Sequence, residues 1–206
     1  MERHSFFLTF DGGPNPPGTD NVLRTLDRHA VTATFFLEGW RLEDGAGCAQ
    51  RIVDAGHEIG NHSYSHSNLD ELPPEECLNE VRDAAAIIHA TIGVYTRLFR
   101  PPWGRLDQAT TDAILDAGHD IALWNCSVRD WEGPDADAVA TRLLASAHDE
   151  GIVALHDRVT WNPAVLDRVI PVMRDSGYEF RPMSEAPDSP AMVRAGTSTD
   201  QTAETG

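Results

Sequence analysis

The chain predicts an α/β fold in one domain, with parallel strands closed or nearly closed as a barrel. Three observations lead there. Short runs rich in apolar, β-branched and aromatic residues alternate from end to end with longer segments of helical periodicity. Each helix recrosses the sheet to reach the next strand, which makes the strands parallel. A length of 206 residues suffices for one domain with a full core and is short for two.

The elements follow in order. SFFLTF, Ser5 to Phe10, reads as a buried strand, followed by a Pro/Gly-rich loop and a helix from Thr19 to His29. VTATFFL, Val31 to Leu37, is a β-branched and aromatic second strand. AGCAQRIVDAG is helical and stops at Gly56, and HEIGNH is a short third strand entering a polar loop. LPPEECLNEVRDAAAIIHATIG is the longest helix, with prolines at its start, acids in its first turn, and Leu78, Val81, Ala85, Ile88 and Ile92 at helical spacing. TRLFRPP is strand four, a helix then runs to Gly118, and HDIALWN is strand five. A helix ending at Gly151, strand six IVALHD, a last helix NPAVLDRVIPVMRDSG and a final strand YEFRPM complete a domain over residues 1–183. From Ser184 the composition turns to Ser, Thr, Pro, Ala, Glu and Gly, and a disordered tail is expected.

Composition removes some function classes. With 33 acidic against 16 basic residues and a net charge of −17, the chain lacks the basic footprint that nucleic acids and anionic membrane surfaces require. The opening run MERHSFFLTFDGG has none of the three parts of a secretory signal, and no apolar run reaches the roughly 18 residues of a membrane span, so a cytoplasmic location is expected. Cys48, Cys77 and Cys126 are odd in number, widely spaced and without a CxxC, which reads as buried reduced thiols.

Parallel barrels collect their functional groups at the carboxyl ends of the strands. Those ends carry Asp11, then His62 and His66, then Arg100 and Trp103, then Asp130 and Trp131, then His156 and Asp157: the composition of a hydrolytic site. NHSYSH sets two imidazoles four residues apart, a spacing that places them on one face of a helical turn, where they can share a divalent ion. Taken singly, each motif also has a bland reading: a surface histidine pair, a strand-ending Pro-Pro, a solvated RDW turn.

The order of the motifs is more specific. TFDGGP, TATFFLEG, GHEIGNH, HSYSH, RPPWG, RDW and IVALHD closely resemble the successive motifs of the NodB-homology polysaccharide deacetylases, carbohydrate esterase family 4, from about Phe6 to Phe180. The resemblance implies a distorted (β/α) barrel of about seven strands that hydrolyses an acetyl C–N bond of an aminosugar, or an acetyl ester of xylan, with a divalent ion, often zinc. It implies Asp11 as general base, Arg100 as its partner, His156 as catalytic acid oriented by Asp130, and His62 and His66 as metal ligands. It further implies that the Trp103 backbone amide helps bind the oxyanion and that Trp131 and Leu155 wall the acetyl pocket. The substrate implied is a small molecule or an oligosaccharide.

One position departs from that pattern. The first motif usually reads TFDDGP, and its second Asp completes the metal site; here Gly12 stands in its place. Two neutral imidazoles without the anionic ligand bind a cation more weakly. Three arrangements are left open: a metal held by His62 and His66 with water or with Asp11, a metal-independent hydrolase of a small nitrogenous compound, and a binding protein or inactivated variant. Retention of both the base with its partner and the acid with its orienter favours hydrolysis, because a silent scaffold has no physical need for either pair.

Overall fold

The computed structural model describes residues 3–133 and 135–196. Among the described residues six α-helices alternate with seven parallel strands, and an eighth strand joins antiparallel. The strands are β1 (His4–Gly13), β2 (Thr34–Leu37), β3 (Glu58–Asn61), β4 (Leu98–Phe99), β5 (Asp120–Ala122), β6 (Gly151–His156), β7 (Tyr178–Arg181) and β8 (Met192–Val193). The helices are α1 (Gly18–His29), α2 (Leu42–Asp54), α3 (Pro74–Ile92), α4 (Gln108–Asp116), α5 (Ala136–Ser146) and α6 (Asn162–Asp175). Hydrogen bonding orders the sheet β6-β1-β2-β3-β4-β5-β8, with β7 beside the first half of β1. Past β5, Cys126 bridges Val153 of β6, which draws the two ends of the row toward each other.

Strand alternation sorts the core into two compartments. On β1, Phe6, Leu8 and Phe10 face the helices, where they meet Val22 and Leu26 of α1 and Val165, Val169 and Met173 of α6. Phe7 belongs instead to the opposite face, with Phe36, Ile152, Met183 and Met192. Full burial of each such side chain contributes roughly 1.5–3 kcal/mol, so the amphipathic faces of α1 and α6 are firmly seated. At the end of α3, Gly93 takes φ 71°, the left-handed cap conformation that favours glycine.

Two boundaries are corrected. Helix α5 ends at Ser146, and Gly151 opens β6 instead of closing a helix. The tail expected to be disordered from Ser184 is structured through residue 196. Met183, Ala186, Ala191 and Met192 are buried against Phe7, Leu98 and Ala122, and β8 pairs with β5. Four small or flexible apolar residues suffice because they complete an interior that already exists, a contribution that composition alone undervalues. Residues 197–206 lie outside the described residues. Among the described residues no helix is long and apolar enough to cross a membrane.

Candidate active site

Asp11 sits near the end of β1, where Gly12 bulges out of the ladder to β2: Asp11 pairs with Phe36 and Gly13 with Leu37. Its other neighbour is His156, its register partner on β6. Period-two alternation points Thr9 and Asp11 to the interior, toward Arg100. That arginine, fully buried, donates from Nη1 to Asp11 Oδ1 at 2.7 Å and to Thr9 Oγ1 at 2.5 Å, from Nε to the Ala122 carbonyl at 2.9 Å, and from Nη2 to the Leu123 carbonyl at 2.9 Å. The guanidinium also lies 4.0 Å from the Phe36 ring centroid. Burial pulls the Arg100 pKa down, and the Asp11 carboxylate opposes that shift.

Next to His156, Asp130 is fully buried. Its Oδ1 lies 2.9 Å from His156 Nδ1, while Oδ2 accepts the His156 backbone N–H at 2.7 Å and Asn162 Nδ2 at 2.6 Å. These bonds fix the ring so that Nδ1–H faces Asp130 and Nε2 faces the cavity. Burial is the largest influence on His156 and lowers its pKa, but the hydrogen bond and charge of Asp130, aided by Asp11, outweigh it and leave a net rise.

His62 and His66 lie on a loop after β3, not on a helical turn: Ser63 and His66 take φ 66° and 59°. Side chains of the loop hold that shape. Asn61 Oδ1 accepts the Ser63 N–H at 2.9 Å, and Ser63 Oγ accepts the His66 N–H at 3.0 Å. The rings still meet, with centroids 5.0 Å apart. His62 Nδ1 donates to the Arg100 carbonyl at 2.8 Å, which leaves Nε2 as a lone pair. Burial pushes the His62 pKa down to about 4, so the ring is neutral at pH 7, and burial lowers His66 as well.

The donor chemistry of this histidine pair fits a divalent ion of the zinc type. The family's third donor is missing, since Gly12 has no side chain, and among the described residues no three His, Cys, Asp or Glu side chains already gather around one point. What stands in front of Gly12 is Glu38, a buried carboxylate at the end of β2: a Cβ built on Gly12 would lie 3.1 Å from Glu38 Oε1.

These groups line a cavity of about 710 Å³ shared by Asp11, His62, His66 and His156. Trp40, Trp103 and Trp131 are about half exposed around it. The Trp103 ring lies 4.5 Å from His66 and the Trp131 ring 5.1 Å from His156. Leu155 does not belong to this wall. It pairs with Phe10 and is buried among the residues that face the helices, whereas Ala154, one residue earlier on the inner face, lines the cavity. Asp157 turns away as well. It accepts from Asn15 Nδ2 at 2.6 Å and Thr19 Oγ1 at 2.5 Å and so holds the loop after β1.

A family model described as polysaccharide deacetylase matches residues 1–122. The chain belongs to the polysaccharide deacetylases. It is 33% identical over 178 residues to the peptidoglycan-N-acetylglucosamine deacetylase PgdA of Listeria monocytogenes, covering 86% of this chain and 38% of that protein. Thus it spans well under half the length of that relative. Among solved structures, the Bc1960 peptidoglycan N-acetylglucosamine deacetylase superposes with a TM-score of 0.87 at 28% identity, covering 90% of this chain and 88% of that one. BA3943 from Bacillus anthracis, described as a CE4 family pseudoenzyme, superposes with a TM-score of 0.85 at 28% identity over 91% of this chain and 66% of that one. The polysaccharide deacetylase fold is thus shared by a deacetylase and by a protein described as a pseudoenzyme.

Contributors absent from the sequence reading include Thr9, Trp40, Ala154, Asn162 and Glu38. Glu38 was the most accessible of them, because TATFFLEG places an acid directly after a strand, at the carboxyl end where the other site residues were sought.

Proposed function

We propose that this chain hydrolyses the acetyl C–N bond of an N-acetylated aminosugar, in an oligosaccharide or a related small molecule, releasing acetate and a free amine. One observation carries the reading: Asp11 paired with Arg100 and His156 paired with Asp130 are register partners facing one cavity. A silent binding surface has no use for two separately oriented proton carriers side by side in one site.

In this reading Asp11 takes a proton from the attacking water, held in position by Arg100. The water oxygen adds to the acetyl carbonyl, and the Trp103 backbone amide donates to the oxyanion that forms. His156 then gives the proton on Nε2 to the departing nitrogen as the C–N bond breaks, and Asp130 stabilises the charged ring before that transfer. A divalent ion of the zinc type, held by His62 and His66, would supply Lewis acidity toward the carbonyl. The exposed tryptophans offer flat apolar faces on which sugar rings can lie.

The test is acetate release from N-acetylglucosamine oligomers. Asp11→Asn and His156→Ala should each lower kcat by roughly 100-fold or more with the circular dichroism spectrum unchanged. Full activity in either variant would remove that residue from the mechanism.

A further inference from the structure

We infer that Glu38 supplies the anionic oxygen that position 12 lacks, so that a divalent ion would draw together His62, His66 and Glu38, which line one cavity without yet converging on one point. The inference rests on the metal-assisted reading above and assigns its missing ligand.

Space comes first. Gly12 has φ 79°, and within 4 Å of a Cβ built there the nearest-neighbour set holds one atom, Glu38 Oε1 at 3.1 Å. The carboxylate oxygen therefore occupies the volume into which a side chain at position 12 would project. Strand order makes this natural, because β2 lies between β1 and β3. The Glu38 backbone N–H donates to the Gly13 carbonyl at 2.9 Å. On the other side His62 N–H donates to the Leu37 carbonyl at 2.9 Å and Gly39 N–H to the Ser63 carbonyl at 3.0 Å. Glu38 is thus stitched both to the strand that carries Gly12 and to the loop that carries the histidines.

Orientation comes second. Glu38 Oε2 accepts from Trp40 Nε1 at 2.6 Å and from Arg41 Nε at 2.8 Å. Oε1 takes part in no hydrogen bond among the described residues and faces the cavity that holds both histidines. One oxygen clamped by two N–H donors and the other left bare is how ligating carboxylates are held by their surroundings. A glutamate used only to pair with Arg41 across the turn needs neither burial nor the bare oxygen. Chemically, two neutral imidazoles and one carboxylate restore the charge and donor types of the family's set, with the longer glutamate reaching from the neighbouring strand.

The experiment is zinc titration of chelator-stripped protein by calorimetry, with metal content of each variant measured in parallel. The wild type should bind one zinc per chain, and Glu38→Gln should bind at least 10-fold more weakly while keeping an oxygen for Trp40 and Arg41. His62→Ala should weaken binding comparably, and Gly12→Asp/Glu38→Ala, which clears the volume the new side chain needs, should regain much of the loss. Should Glu38→Gln fail to fold, Glu38→Asp withdraws the oxygen by one methylene and should also bind at least 10-fold more weakly. Unchanged affinity in the folded Glu38 variant, beside a loss in His62→Ala, would overturn the Glu38 assignment and leave the histidine site standing. A wild type that binds no zinc yet releases acetate would overturn both the assignment and the metal reading, while sparing the deacetylase itself.

Discussion

Arg100→Met tests how the base is held. The substitution keeps an unbranched apolar stem and removes a guanidinium whose side chain is 0% exposed, beside an Asp11 side chain only 6% exposed. Removing one partner of a buried pair costs about 3–5 kcal/mol, because the remaining charge stays buried without compensation. The carbonyls of Ala122 and Leu123 lose their donor at the same time, and each unsatisfied buried acceptor costs about 1–3 kcal/mol where water cannot replace it. A loss of at least about 5 kcal/mol is expected, against a total stability of about 5–15 kcal/mol for a domain. For this chain length that lowers Tm by at least about 10 °C. Urea unfolding and scanning calorimetry read the effect directly. Asp11→Asn leaves the buried guanidinium without its counter-charge and should cost about 3–5 kcal/mol, although Arg100 keeps Thr9 and both carbonyls. Arg100→Met/Asp11→Asn should be more stable than Arg100→Met alone. The reasoning is refuted if Arg100→Met loses less than about 1 kcal/mol, or if neutralising Asp11 brings no recovery.

Two further outcomes follow from geometry described above. His156 must be protonated to donate, and its pKa is raised chiefly by Asp130 against the pull of burial, so activity should fall as pH rises through that raised value. Asp130→Asn should therefore move the alkaline limb of kcat/KM to lower pH; an unmoved limb would show that another group donates the proton. Ending the chain after Met183 removes the buried Ala186, Ala191 and Met192 and strips β5 of β8, which should cost about 2–5 kcal/mol. A truncated chain with an unchanged urea midpoint would mean that the interior closes without this segment.

Periodicity read the architecture well because strands and helices alternate without exception from His4 to Arg181, and each helix ends near a turn signal. It failed at Ser184 because β8 is two residues long and is stabilised by an interior built from distant segments. The site was legible through strand ends, which is how Asp11, Arg100, Asp130 and His156 were found together. Leu155 was misplaced by one residue, and in a strand one residue is the difference between wall and core. The helical setting given to His62 and His66 failed for a different reason. A four-residue spacing fits a helical turn, but it fits equally a loop whose Ser63 and His66 adopt left-handed backbone through local side-chain bonds.

The antiparallel course of β8 also settles a matter of access. Because β8 runs against β5, Ala195 returns to the starting end of that strand, where its N–H donates to Asp120 Oδ1 at 2.8 Å. The other described end, near His4, lies beside Gly177 just before β7, at the amino ends of the parallel strands. Both ends of the described chain therefore leave from the face opposite the cavity. The tryptophan-lined mouth lies on the face that neither described end crosses.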